Sequence, residues 1–279
     1  MSFNEIIDGV ERKAAESIKA EQGDYFVDGL LHCGKCKTPK QCRIEIFGAV
    51  RTPFCLCKCA TEKRDREDAE RRRAERERVS KELRRVGFPD SEMQKWTFAN
   101  DDMANPRITQ AMQKYVENFP ELRKKGQGLL LYGPVGTGKT YAAAEVANAL
   151  IDKGYSALVT NFARIANTVS GIYDGKQAYY DSLNRFELLV IDDLAAERKT
   201  EYMQEIVYNV IDSRYRAGLP MIITTNLTAE ELKNPQDITN KRIFDRVMEK
   251  CLPVEVTGRN RRHKKTAESF SELNSLLGL

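Results

Sequence analysis

Leu129-Leu130-Leu131-Tyr132-Gly133-Pro134-Val135-Gly136-Thr137-Gly138-Lys139-Thr140 is the stretch that decides the fold. Its first four residues read as a buried strand, and the next eight match G-x-x-x-x-G-K-[ST] in full. A helix-competent run, Tyr141–Leu150, follows at once. Glycines let the loop N–H groups turn inward onto phosphate oxygens, and the helix N-terminus adds partial positive charge. The expected roles follow from that geometry. Residues Gly133, Pro134, Val135, Gly136, Thr137 and Gly138 wrap the phosphates, Lys139 reaches the β- and γ-phosphates, and the Thr140 hydroxyl ligates Mg²⁺.

About 50 residues further on, Leu188-Leu189-Val190-Ile191 runs into Asp192-Asp193. An apolar strand that ends in a carboxylate beside the phosphates is a Walker B arrangement: Asp192 holds Mg²⁺ through water and Asp193 polarises the attacking water. The next run, Met221-Ile222-Ile223-Thr224-Thr225, ends at Asn226, whose amide can orient that water or cap the turn. Strands are expected at 128–132, 157–160, 188–191, 221–225 and 254–256, and helices at 139–152, 162–173, 200–216 and 240–250. Short apolar strands alternating with helices imply an α/β fold with a parallel sheet covered on both faces.

The N-terminal part differs. Six of the seven cysteines (Cys33, Cys36, Cys42, Cys55, Cys57 and Cys59) crowd into one short stretch. Cys33-Gly34-Lys35-Cys36 is a C-x₂-C knuckle, and eighteen residues separate it from Cys55-Leu56-Cys57-Lys58-Cys59. Thiolates on two chain ends around a hairpin, expected from Ile44, Ile46 and Val50 about Gly48, suit a tetrahedral structural Zn²⁺. Cys33 and Cys36 supply two ligands. Cys55, Cys57 and Cys59 alternate along one expected strand face and supply the other two, Cys57 with either Cys55 or Cys59. An iron–sulfur cluster and reduced, unliganded thiols are the alternatives. Residues 4–22 show a narrow apolar stripe (Ile6, Val10, Ala14, Ile18) that predicts a short helix. Residues 61–85 hold eleven Lys/Arg and eight Asp/Glu with no aromatic, which reads as a solvated helical linker or, alternatively, a nucleic-acid or partner arm. The expected division is therefore 1–60, a helix and zinc-binding module, then 61–90, a charged helical linker, then 91–279, the ATPase domain. A net charge of +4 is mild and names no partner by itself. With no apolar run long enough for a membrane span and no secretory start, a cytoplasmic protein that keeps its thiols reduced is expected.

Phosphate loop, L-L-V-I-D-D and T-T-N, in that order and spacing, resemble the AAA+ superfamily. Within it the chain resembles the DnaC/DnaI-type helicase loaders and the related IstB-like transposition ATPases. Arg242-Ile243-Phe244-Asp245-Arg246-Val247 resembles the family's arginine-bearing helix, and Val256-Thr257-Gly258-Arg259-Asn260-Arg261-Arg262 its closing strand and V-x-G-x-S-Y-R-like tail. The resemblance implies ATP as cofactor, with an AAA+ core lacking a full lid, since only about thirty residues follow Arg246. It makes Arg246 an outward-pointing arginine finger for a neighbouring subunit, with Arg242 as alternative, and Arg262 a sensor arginine in cis; the substitutions in the tail leave the choice among its arginines open. The implied partners are a replicative DnaB-type hexameric helicase, single-stranded DNA and further copies of the chain in an ATP-dependent homo-oligomer. An IstB-like ATPase that assists a transposase, and a nucleotide-switched adaptor without enzymatic activity, are the competing functions.

Overall fold

A computed structural model describes residues 21–46, 49–195, 200–235, 237–258, 260, 273–274 and 276–277. The helix expected over 4–22, the turn at Gly48 and the arginines 259, 261 and 262 lie outside the described residues, apart from positions 21 and 22. The chain divides into two compact units, with the division between Glu75 and Arg76.

The first unit is built from hairpins. β1 (Tyr25–Val27) pairs antiparallel with β2 (Leu30–His32), and β3 (Ile44–Ile46) pairs antiparallel with β4 (Ala49–Arg51). Lys40 is buried and pairs with Asp24 at 2.6 Å, while the other Asp24 oxygen accepts from Gly34 N–H at 3.0 Å. The Lys40 ammonium holds the Asp24 carboxyl down to about 2. This pair pins the cysteine knuckle to the start of the unit. Gly34 is required there, because a Cβ would overlap the Gly23 carbonyl.

Helix α1 (Lys58–Gly87) follows. Its charges leave it without an apolar face, and only Ser80 and Gly87, near its end, are buried. Phe88-Pro89 then stops it, as proline disfavours helix in the residue before it.

The second unit is a five-stranded parallel sheet of β5 (Gly128–Tyr132), β6 (Ala157–Asn161), β7 (Leu188–Leu194), β8 (Met221–Thr225) and β9 (Cys251–Glu255), in the order β6-β7-β8-β5-β9. Alternate strand residues feed two cores. Leu129, Leu131, Val190 and Ile222 face the layer of α2 (Pro106–Glu117), α3 (Phe119–Lys125) and α4 (Lys139–Asp152). Leu130, Leu189, Ile191 and Ile223 face α5 (Phe162–Ser170), α6 (Lys176–Ser182), α7 (Glu201–Arg216), α8 (Ala229–Lys233) and α9 (Ile238–Lys250). Both faces are thus covered, as near-continuous apolar strands demand.

Three differences from the sequence reading have physical causes. The last strand begins at Cys251, three residues early, because Cys251–Glu255 takes its register from Gly128–Tyr132; Pro253 is tolerated because β9 is an edge. Helix 162–173 stops at Ser170, and α6 follows a left-handed Gly175. Helices α2 and α3 were not anticipated, although Asn105 caps α2 by accepting from Ile108 N–H and Pro106 opens it.

Arg214 is fully buried at the opposite end of the sheet from the phosphate loop. It donates to the carbonyls of Pro220, Phe186 and Glu187 at 2.7–3.1 Å, tying the entries of β7 and β8 together. Burial lowers its pKa to about 9. Among the described residues no helix is long and apolar enough to cross a membrane.

Candidate nucleotide site and thiol cluster

The C-terminal ends of β5, β7 and β8 lie side by side in the sheet and carry the polar residues singled out from the sequence. β5 passes through Gly133-Pro134-Val135-Gly136-Thr137-Gly138 into α4. Gly138 caps that helix in the left-handed region at φ 97°. Gly136 has φ 80°, and a Cβ on it would run into the Asn260 side chain. Lys139 is buried. Its Nζ donates at 2.8 Å to Gly133 O, to Pro134 O and to Asn226 Oδ1. The ammonium is therefore held over the loop by neutral acceptors, which phosphate oxygens can replace. Thr137 Oγ1 donates to Pro134 O at 2.9 Å and closes the loop on itself.

Asp192 and Asp193 end β7 differently. Asp192 is mostly buried, and burial pushes its carboxyl up despite hydrogen bonds from the Thr224 and Thr140 hydroxyls. A bound cation would reverse that penalty, and the Thr140 hydroxyl lies within one hydrogen bond of the Asp192 carboxylate. Asp193 adopts φ 64°, at a register break between Ile191 and Leu194. A non-glycine residue held there stores about 1–3 kcal/mol of strain. The kink turns the carboxylate to accept from Asn226 Nδ2 at 2.7 Å. Asn226 thus bridges Lys139 and Asp193 through the two ends of one amide.

Thr224 is the residue that the sequence reading passed over. It is 1% exposed; its hydroxyl donates to Asp192 Oδ1 at 2.6 Å and accepts from Asp193 N–H at 2.9 Å. One hydroxyl therefore orients both acids. The signal was available in the sequence: a threonine inside an apolar strand, one register step beyond the residue paired with Ile191.

On α9, Arg246 is three-quarters buried rather than outward-pointing. Its guanidinium pairs with Asp212 Oδ1 at 2.7 Å, donates to Tyr208 OH at 3.0 Å and lies over the Tyr208 ring at 4.7 Å. The family resemblance implies a guanidinium pointing outward, away from its own phosphate loop; the Asp212 carboxylate on α7, one helix over, holds it in. Arg242, one turn earlier, is exposed.

In the first unit the sulfurs of Cys33, Cys36, Cys57 and Cys59 all lie within 4.8 Å of one another. Cys59 Sγ is 3.6 Å from Cys33 Sγ and 3.5 Å from Cys57 Sγ. Cys36 Sγ is 3.1 Å from Thr38 Oγ1. Cys55 stands outside the group, with its sulfur against Pro39 O at 3.7 Å. The expected strand over 55–59 is not formed. Helix α1 starts at Lys58 and turns Cys59 back toward Cys57, while Cys55 remains on the extended segment that bonds Lys40 O.

A phosphate loop after an inner strand, an acidic pair two strands away and a polar amide between them, on a parallel sheet of this order, define a P-loop nucleotide-binding protein of the AAA+ type. The chain matches the family described as IstB-like ATP binding protein over residues 62–269, and it belongs to that family. The replicative helicase loader DnaI of Bacillus subtilis (strain 168) is 25% identical over 209 residues, covering 69% of this chain and 67% of that one. The replicative helicase loader DnaC of Escherichia coli (strain K12) is 26% identical over 139 residues, 48% of this chain and 54% of that one. Two solved structures share the fold. DnaI gives a TM-score of 0.52 at 24% identity, covering 63% of this chain and 95% of that one. The DnaC helicase loader gives 0.51 at 21%, covering 60% and 100%.

Proposed function

We propose that this protein is an ATP-hydrolysing helicase loader, which binds single-stranded DNA and delivers a DnaB-type replicative hexameric helicase to it. The observation that carries the nucleotide chemistry is the connected set Lys139–Asn226–Asp193 with Thr224–Asp192. In it, Lys139 and the loop amides take the β- and γ-phosphates. Thr140 and Asp192 hold Mg²⁺, which neutralises charge on the transferring phosphoryl group. Asp193 and Asn226 fix the attacking water. Lys139 needs to give up only one acceptor on Asn226 to sense a γ-phosphate, which makes the amide a reporter of nucleotide state.

Arginine supplied by a second copy would complete the site. Arg242 is free to reach across; Arg246 would first have to leave Asp212. Arg262 is kept as the arginine acting in cis. The first unit would be the helicase-holding module, with Cys33, Cys36, Cys57 and Cys59 around one structural Zn²⁺. Four thiols this close cannot all ionise without a cation, and four thiolates match the tetrahedral closed site. Similarity to DnaI and DnaC supports the loader reading. The family also supports a second one, an IstB-like ATPase that assists a transposase, but the matched residues begin at 62 and leave the cysteine module outside.

The test is loading. The full chain with ATP should co-purify with the replicative helicase of its source and speed that helicase's assembly on circular single-stranded DNA, whereas Lys139→Ala should do neither. Retention of a transposase instead of a helicase would favour the second reading.

A further inference from the structure

The end of α1 is anchored on α4, the helix that starts at the phosphate loop. Ser80 Oγ donates to Ile151 O at 3.3 Å, Arg84 NH2 pairs with Asp152 Oδ1 at 2.5 Å, and Arg84 Nε donates to Asn148 Oδ1 at 3.0 Å. Asn148 is fully buried. Its Nδ2 donates the other way, at 2.9 Å, to the carbonyls of Met93 and Trp96. Trp96 stacks on Tyr141 at 5.4 Å, and Tyr141 OH donates to Asn100 O at 3.0 Å. Hydrogen bonds and one ring stack thus connect Arg84 to Tyr141 without a gap.

Tyr141 lines a cavity of about 10 Å³ with Thr137 and Gly138 of the phosphate loop, Asn105 and Ile108 of the opposite wall, and Val256. That is room for about one water molecule. A nucleotide with its phosphates on the loop amides carries its base out past Thr137 and Gly138, and a purine is far larger than this space. Base entry therefore has to move Tyr141, the wall residue that the Trp96 ring and the Asn100 carbonyl hold in place. Arg84 opposes that movement. With Arg84 on its oxygen, the Asn148 amide cannot turn, and its NH₂ stays on Met93 and Trp96.

We propose that the last turns of α1 are an autoinhibitory brace on the nucleotide pocket, with Asn148 as the positioning residue through which Arg84 holds the wall closed. This rests on the nucleotide reading given above. Nucleotide entry and the Arg84 anchor are then antagonistic, and linkage makes the antagonism reciprocal. Because α1 runs unbroken from Lys58 to Gly87, a partner that pulls on the helix would raise nucleotide affinity.

The experiment is calorimetric titration of the full chain with Mg-ATP, with emission of Trp96, the single tryptophan, followed in parallel. Arg84→Ala should bind about fivefold tighter or more, the low end of usual coupling. Arg84→Lys should fall between, since it keeps a cation near Asp152 but lacks the fork whose Nε and NH2 reach Asn148 and Asp152 separately. In the wild type, ATP should change Trp96 emission and speed amide exchange over 80–87. The sign is diagnostic: if Arg84 merely supported the pocket, its loss would weaken binding. Should Arg84→Ala fail to fold, Asp152→Asn, at an exposed position, removes the second anchor and should tighten binding in the same direction. Binding that depends on Lys139 but is equal or weaker in these variants overturns the brace alone. No Lys139-dependent binding in the wild type overturns the nucleotide reading and the brace with it.

Discussion

Replacing Thr224 by valine keeps the shape of a buried β8 side chain and deletes one hydroxyl. Two bonds are lost. The bond to Asp192 has a charged acceptor and is worth about 1.5–3 kcal/mol. The Asp193 N–H, left without its acceptor, costs about 1–3 kcal/mol more. The added methyl returns under about 1 kcal/mol. The net expectation is a loss of about 2–5 kcal/mol of unfolding free energy, read from urea denaturation. The site should suffer in parallel. Asp192 is already pushed up by burial, and losing a donor pushes it further, so it holds Mg²⁺ less well. Asp193 loses the bond that anchors its left-handed backbone. ATP turnover should fall about tenfold, equivalent to ~1.4 kcal/mol in the barrier. Thr224→Ser, which keeps the hydroxyl, should recover most of both. If Thr224→Val unfolds within about 0.5 kcal/mol of wild type and turns over ATP at the wild-type rate, the assignment of one hydroxyl to both acids is wrong.

Metal analysis should find about one zinc per chain; serine at Cys33, Cys36, Cys57 or Cys59 should remove it and serine at Cys55 should not, so loss of zinc in Cys55→Ser would contradict the cluster. Asp192→Asn should melt higher than wild type in the nucleotide-free chain near about pH 7, because a carboxyl raised by burial costs stability once ionised. That gain should shrink as pH falls through the raised folded pKa and be gone below the unfolded value of about 3.9; a gain constant with pH would refute it. Arg242→Ala should bind ATP normally and lose ATP-dependent assembly on single-stranded DNA, whereas Arg246→Ala should chiefly lower the melting temperature, because it takes the cation from Asp212 Oδ1 and leaves the buried carboxylate only the exposed Arg216 on its other oxygen. Light scattering and thermal melts separate the two, and the reverse pattern would return the finger to Arg246.

Wherever local rules are strict, the sequence alone determined the outcome. The phosphate loop admits almost no other reading, because strand, glycines, lysine and helix must follow one another along the chain for backbone amides to converge. The five strands were legible as apolar runs because a sheet buried on both faces leaves no polar alternation to confuse them. Lys139, Asp192, Asp193 and Asn226 were legible for the same reason, each at a strand or loop end. The structure alone decided what depends on distant segments meeting. Thr224 looked like one more strand residue until the β7–β8 register set it between the Asp192 carboxylate and the Asp193 N–H. Cys55 and Cys59 were equivalent by spacing, and the start of a helix at Lys58 separated them. Arg246 carried a surface arginine's pattern, yet Asp212, 34 positions earlier in the chain, draws it inward. Arg84 read as one charge among many in a solvated run, and only the docking of that run's last turns on α4 gave it Asn148 as a partner. Charge–charge and hydrogen-bond partners of this kind are set by tertiary proximity, which no local pattern encodes.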